Sequence, residues 1–293
     1  LGDVYKRQVM NDSLVGTENP DTLIGGYGND TIEGQGGVDD LIGGHGQDSI
    51  IGGTGSDVIE GNYGDDYLEG NEGHDQIKGS EGNDTILAGA DNDEISGGPD
   101  DDIISGGKGN DNIQGDEGND IISGNADNDW LQGNGGNDIL TGGEGQDVVY
   151  GGDGADYFVF ESPGQALDII VDFDPNKGDK IIIDNAGFKN PTLDDFQFLN
   201  GYLYFKKKQI ALIQNEGVSY NYFQNLSSIL EIKDTTNLEI QDTTNLETPV
   251  SPEVELLETE NASTSSQSFD RSSKSSQKPS NLLEEILQRG YIK

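Results

Sequence analysis

The sequence predicts an all-β fold in which short parallel strands wind into a solenoid, and three observations carry that prediction. Aspartate recurs at every ninth position from Asp12 to Asp156 without insertion or deletion. Two residues after each of these aspartates stands an apolar side chain, from Leu14, Leu23 and Ile32 to Val149 and Phe158. Glycine follows four residues after the aspartate, as at Gly25, Gly43, Gly52, Gly106 and Gly151, with Ala88 the exception among the repeats that continue. It recurs two residues before the aspartate at Gly28, Gly46, Gly55, Gly109 and Gly154. A period this regular marks a repeat architecture.

Each segment of the repeat has a physical reading. Glycine at fixed offsets supplies the positive-φ conformations that a tight turn needs, so those residues are turn. The remaining three, such as Thr31-Ile32-Glu33 or Ser49-Ile50-Ile51, alternate outward, inward and outward as a very short strand does. One such unit cannot close on itself, but two make a coil with a strand on each side. Stacked coils then give two parallel sheets around ladders of Ile, Leu and Val, and the seventeen ladder aspartates correspond to about eight coils.

Composition says what such a roll would need. The 293 residues carry 56 acidic against 16 basic side chains, a net charge of −40, which argues against nucleic acid or an anionic membrane surface and favours cations as partners. There is no cysteine, so neither disulfides nor thiolate metal sites can hold the chain. Only 31% of residues are apolar and 44 are Gly, a composition that reads as disordered unless periodicity or a bound ion intervenes. A buried Ile or Leu contributes roughly 1.5–3 kcal/mol, whereas ordering costs on the order of 1–2 kcal/mol for every residue fixed. The only bases between residues 9 and 160 are Lys78 and Lys108, and coiling brings like-charged aspartates into line. Without a compensating cation the coil is expected to stay unfolded.

Carboxylate and backbone carbonyl are hard oxygen donors, which suit calcium with its six to eight ligands and flexible geometry. His45 and His74 stand at different repeat offsets and read as solvent-facing turn residues rather than metal ligands. Gly25-Gly26-Tyr27-Gly28-Asn29-Asp30-Thr31-Ile32-Glu33 resembles the G-G-x-G-x-D-x-U-x nonapeptide of the repeats-in-toxin (RTX, haemolysin-type) calcium-binding proteins. The resemblance implies a right-handed parallel β-roll loaded with multiple calcium ions, each ion between turns on successive coils. It implies that the aspartates give side-chain oxygens: Asp21, Asp30, Asp39, Asp48, Asp57, Asp66, Asp75, Asp84, Asp93, Asp102, Asp111, Asp120, Asp129, Asp138, Asp147 and Asp156. It likewise implies carbonyl donors around Gly26, Gly28, Gly44, Gly46, Gly53, Gly55, Gly107, Gly109, Gly143, Gly145, Gly152 and Gly154. Asp12 lacks the preceding glycines. Asp91, Asp100 and Asp127 replace the glycine two residues before the ladder aspartate, in conformations that Asp tolerates. Asp91 and Asp100, together with Ala88 and Pro99, make residues 88–102 the stretch where coordination should be weakest.

The flanks read differently. Residues 1–8 include Asp3-Val4-Tyr5-Lys6-Arg7-Gln8, which resembles a translated sequencing adapter and is set aside. The roll is expected over 9–160 and an antiparallel β cap over 161–225. In that cap Asp168-Ile169-Ile170-Val171-Asp172-Phe173-Asp174 resembles the segment that closes many such rolls, and Asn200-Gly201 marks a hairpin. Asp172, Asp174, Asn176 and Asp179 are a weak second calcium loop, with a surface turn the better reading because Gly178 sits one place late. Lys206-Lys207-Lys208 reads as a hairpin tip. Residues 226–280, polar and Ser-rich, are expected to form a disordered linker, and 281–293 a short amphipathic helix, capped at Asn281 and stopped at Gly290, with a possible role as secretion signal.

Function follows from these pieces as an expectation: calcium ion binding by a module of a secreted, extracellular RTX protein that folds after export through a type I secretion apparatus. No apolar run is long enough to span a membrane. The chain contains no H-E-x-x-H, G-x-S-x-G or Cys, so no catalyst is read in it. One alternative is the C-terminal secretion and folding module of a secreted protease or lipase, and another is an adhesive or surface-layer solenoid. The outward residues Thr22, Thr31, Asp40, Ser49, Val58, Tyr67 and Gln76 form no regular array of the kind a flat ice-binding or adhesive face would show.

Overall fold

The computed structural model describes residues 8–163, 166–214 and 226–233. They form an all-β parallel solenoid whose successive strands alternate between two sheets, one ordered through thirteen strands and the other through eleven. Thr22–Tyr27, Asp40–His45 and Val58–Tyr63 lie side by side in the first sheet; Thr31–Gly36, Ser49–Thr54 and Tyr67–Glu72 lie side by side in the second. Pairing is parallel with a shift of one coil, so Leu23 faces Leu41, Ile32 faces Ile50 and Ile104 faces Ile122. The strands are twice as long as the three residues expected, because the turn glycines also meet their equivalents: Gly26 faces Gly44, and Tyr27 faces His45.

The interior is a single column of apolar side chains. Leu23, Ile32, Leu41, Ile50, Ile59 and their successors to Phe158 are at most 4% exposed, so the two-after-aspartate rule does select the core. Ala88 takes the inward place that glycine holds in the other repeats and is fully buried. Tyr27, His45 and Tyr63 stack on three successive coils at the rim, with ring centroids 4.5 and 4.4 Å apart.

The solenoid does not stop where the nine-residue period stops. Asp168–Ile170 continues the first sheet beside Val148–Asp153, and Lys180–Asp184 continues the second beside Tyr157–Phe160, both in parallel. Lys208–Ile213 adds a further parallel strand, and only then does the first sheet turn antiparallel through Tyr202–Phe205 and Phe196–Leu199. Asn200-Gly201 makes one hairpin turn as the dipeptide predicts, and Lys206 and Lys207, at φ 46° and 73°, make the other. The cap is thus partly parallel where an antiparallel one was expected, because the coil winding carries on after the glycines have gone.

Structure also continues past residue 225. A helical turn, Leu226–Ile229, leads into Leu230–Lys233, which pairs in parallel with Lys180–Asp184 where a linker was expected. Glu231 forms ion pairs with Lys180 and, at 2.8 Å, with Lys233. Phe188, Phe196 and Phe205 pack edge and face together in the closing layer of the core. The remaining tail, including residues 281–293 where a terminal helix was expected, and residues 1–7 lie outside the described residues. Among the described residues no helix is long and apolar enough to cross a membrane.

Candidate metal-binding ladder

The coil register turns a sequence period into a file of carboxylates. Every ladder aspartate from Asp30 to Asp156 is at most 3% exposed, an unusual position for an acidic side chain. One oxygen of each is used locally: the Asp48 N–H donates to Asp66 Oδ1 at 2.7 Å, Asp102 N–H to Asp120 Oδ1 at 2.9 Å and Asp138 N–H to Asp156 Oδ1 at 3.0 Å. Each side chain therefore reaches back one coil. The other oxygen, Oδ2, is buried and without a hydrogen-bond partner in all fifteen residues of that run. Asp21 stands apart at the N-terminal end: it is only partly buried, and its Oδ2 accepts the Thr17 N–H at 2.7 Å and the Thr17 hydroxyl at 3.0 Å.

Burial without a cation pushes these carboxyls far above the ordinary range, and the negative neighbours in the file add to the effect. Asp66, Asp93, Asp129 and Asp138 are raised to about 8 and Asp102 to about 9, while Asp39, Asp48 and Asp75 rise to about 6. In each case the backbone N–H one coil away opposes the rise without cancelling it. An ionised carboxylate with one orphaned oxygen is costly inside a protein, so the file calls for either protons or cations.

The turns bring main-chain carbonyls of one coil close to the next. Gly26, Gly28, Gly44, Gly46, Gly53, Gly55, Gly107, Gly109, Gly143, Gly145, Gly152 and Gly154 all have positive φ, between 104° and 155°. Gln35, Asn62, Asn71, Ser80, Asp116, Asn125 and Asn134 hold the same turn position as Gly26 at φ 75–85°. Asp91, Asp100 and Asp127 keep positive φ at 78°, 81° and 79°, so those turns survive their substitutions. The carbonyl oxygens of these residues aim at the following coil. That of Gly37 lies where a Cβ on Gly55 would be, so no other residue fits there without displacing the turn.

Among the described residues no three His, Cys, Asp or Glu side chains converge on one point. A cation between coils would therefore be held by one or two carboxylate oxygens and main-chain carbonyls. That is an all-oxygen set without imidazole or thiolate, which fits calcium and not zinc. His45 is in the aromatic stack, and His74 is exposed with its Nδ1 accepting the Asn92 N–H at 3.1 Å.

A second ladder escaped the sequence reading. The residue just before the ladder aspartate is often Asn or Asp, and its side chain reaches forward: Asp65 Oδ1 accepts the Asn83 N–H at 3.0 Å, Asp101 Oδ1 the Asn119 N–H at 2.6 Å and Asn119 Oδ1 the Asn137 N–H at 2.9 Å. On the other edge Asn92, Asn110 and Asn128 do the same for Asn110, Asn128 and Gln146, at 2.7–2.9 Å. Two adjacent N–H groups of one turn are thus held from opposite sides, one by the coil before and one by the coil after.

The aspartate ladder also outlasts the repeat. Asp147 N–H donates to Asp168 Oδ1 at 3.2 Å and Asp156 N–H to Asp179 Oδ1 at 3.1 Å. The apolar residue two places on, Ile170 and Ile181, was the surviving sequence signal. The weak calcium loop forms a surface turn: Asp174 Oδ1 accepts the Asn176 N–H at 2.9 Å, and Asp174 N–H donates to Asp179 Oδ2 at 2.7 Å. Asp172 spends both oxygens on Gly151 and Gly152 N–H groups, at 2.9 and 2.8 Å.

A coil with a buried file of half-satisfied carboxylates and turn carbonyls aimed at the next coil is a cation-binding β-solenoid. The RTX calcium-binding nonapeptide repeat matches in overlapping copies from residue 15 to residue 158, and that stretch of the chain is an array of this family's repeats. Its repeats bind calcium ions, several to a domain. No curated protein matches the chain. Among solved structures, the extracellular lipase LipA from Serratia marcescens is similar at 19% identity over 60% of this chain and 38% of the lipase, with a TM-score of 0.23. The chain thus spans little more than a third of that enzyme, and so distant a likeness says nothing of what the chain does.

Proposed function

We propose that the chain is a module of a secreted RTX protein that folds when calcium fills the spaces between its coils. Asp21 and Asp30 to Asp156 supply carboxylate oxygens, and the glycines of the turns before the last, with their neighbours, supply carbonyls. The observation that carries this reading is the run of fifteen buried, unpartnered Oδ2 atoms, each an unmet demand for a positive charge. At a free concentration ten times Kd each independent site contributes about 1.4 kcal/mol, so about ten sites supply the stability of a whole domain. The module binds and folds, and it does not catalyse. Export proceeds unfolded through a type I apparatus, and external calcium folds the roll on arrival. Residues 281–293 carry the export signal, so their deletion should abolish secretion while leaving calcium-induced folding unchanged.

The folding claim is tested by far-UV circular dichroism during calcium titration of the chelated chain. A cooperative gain of β signal is expected with calcium and not with millimolar magnesium. A β spectrum that persists in excess chelator at neutral pH would overturn it.

A further inference from the structure

The last glycine turn of the roll, residues 151–156, has no repeat after it, and what replaces that repeat is informative. Within the roll, the carbonyl of the second turn residue lies against its equivalent one coil on: Gly26 O against Gly44, Asn134 O against Gly152. Gly152 O has no such successor. Instead it accepts a hydrogen bond from the Lys177 ammonium at 2.7 Å, and the same Nζ meets Asp153 Oδ1 at 3.0 Å. Asp172, from the same segment, takes the N–H groups of Gly151 and Gly152.

The charges around that ammonium resemble those of the turns upstream. Asp153, Asp172 and Asp179 all act to hold Lys177 in its charged form, and Lys177 in turn counters the rise at Asp156. Asp156 is fully buried, with its Oδ2 unpartnered. A carbonyl, a buried carboxylate and a positive charge are the components proposed for every earlier turn, with an ammonium in place of the metal. Lys177 and Asp153 are 41% and 95% exposed, and an ordinary surface pair contributes little. The bond to the turn carbonyl is what sets this pair apart.

We propose that Lys177 is the terminal cation of the ladder: its ammonium serves the last turn as calcium serves the turns before it, so the roll closes without an ion at that position. This rests on the calcium reading of the ladder given above. An ammonium donates hydrogen bonds and cannot be lost to dilution or chelation, so this end of the roll keeps its charge balance where the upstream turns do not.

Native mass spectrometry of the full chain in saturating calcium counts the ions directly. Lys177→Met should bind one calcium more than the unaltered chain, and Lys177→Arg should bind the same number as the unaltered chain. An unchanged count in Lys177→Met overturns the proposal, as does an extra ion in Lys177→Arg. If Lys177→Met gives no β spectrum in saturating calcium, the proposal also fails, since calcium would then be unable to replace the ammonium. An unaltered chain that binds no calcium would instead overturn the reading of the ladder itself.

Discussion

Acid should do for the calcium-free chain some of what calcium does. In the roll Asp66, Asp93, Asp129 and Asp138 are raised to about 8 by burial, against an ordinary carboxyl near 3.8 in the unfolded chain. Between those two values the folded state binds protons that the unfolded state does not, so stability falls as pH rises from about 4 to about 8. Going from pH 8 to pH 5 returns about three pKa units for each of these groups, or about 4 kcal/mol apiece before any allowance for relaxation. Even a severalfold discount leaves four groups supplying an amount comparable to the 5–15 kcal/mol that separates a folded domain from its unfolded chain. The assay is circular dichroism in excess chelator, stepped from pH 8 to pH 5 at low protein concentration because the sequence pI is near 4.1. Gain of β signal on acidification is expected, with loss on return to pH 8. In calcium the dependence should reverse, since protons then compete for the ligand oxygens. A calcium-free chain equally folded, or equally unfolded, across the range would refute the argument.

Three kinds of substitution test the components separately. Asp57→Ala should lower the number of bound calcium ions or the cooperativity of folding, whereas Glu60→Ala, on the outer face, should leave the titration curve in place; identical curves would remove Asp57 from the ladder. Gly55→Ala puts a Cβ onto the Gly37 carbonyl at φ 130° and should cost several kcal/mol, raising the calcium midpoint strongly. Gly135→Ala, whose Cβ would find its nearest neighbour at 3.6 Å, should shift it by no more than about 0.5 kcal/mol. Asn119→Ala deletes a forward-reaching link and should raise the midpoint by an amount equivalent to about 1 kcal/mol. Asn119→Asp keeps an acceptor for the Asn137 N–H but turns the bond from Asn119 Nδ2 to Asp101 Oδ1, 3.0 Å, into a carboxylate–carboxylate contact, so it should restore the midpoint only in part.

What the sequence revealed depended on whether the physics had a fixed period. The core from Leu23 to Phe158 and the file from Asp30 to Asp156 were legible because burial and turn geometry both repeat every nine residues. Asn83, Asn119 and Asn137 were hidden in plain sight, since Asn in a turn is adequately explained by backbone preference until its Oδ1 is seen one coil away. Asp168 and Asp179 were obscured for the opposite reason: they keep their ladder bonds at separations of 21 and 23 residues, where a period of nine no longer points. The parallel pairing of Lys208–Ile213 with Asp168–Ile170 and of Leu230–Lys233 with Lys180–Asp184 joins segments far apart in sequence, whereas Asn200-Gly201 announces only its own turn.

A stack of near-identical coils has translational symmetry, and that leaves a question of origin. Loop one whole coil out of the stack, and among the coils that remain aspartate again meets aspartate and isoleucine meets isoleucine, at the loss of that coil's own contacts. Only contacts that occur once can tell the chain where to start counting. They are concentrated at the C-terminal end: Lys177 on Gly152, Asp172 on the Gly151 and Gly152 amides, Glu231 between Lys180 and Lys233, and the Phe188, Phe196 and Phe205 cluster. The closing layer, with the Tyr27, His45 and Tyr63 stack toward the other end, is in this sense an index mark on a ruler of near-identical divisions. Without it, calcium would still condense the coils, but into a family of registers that differ by the coils left out.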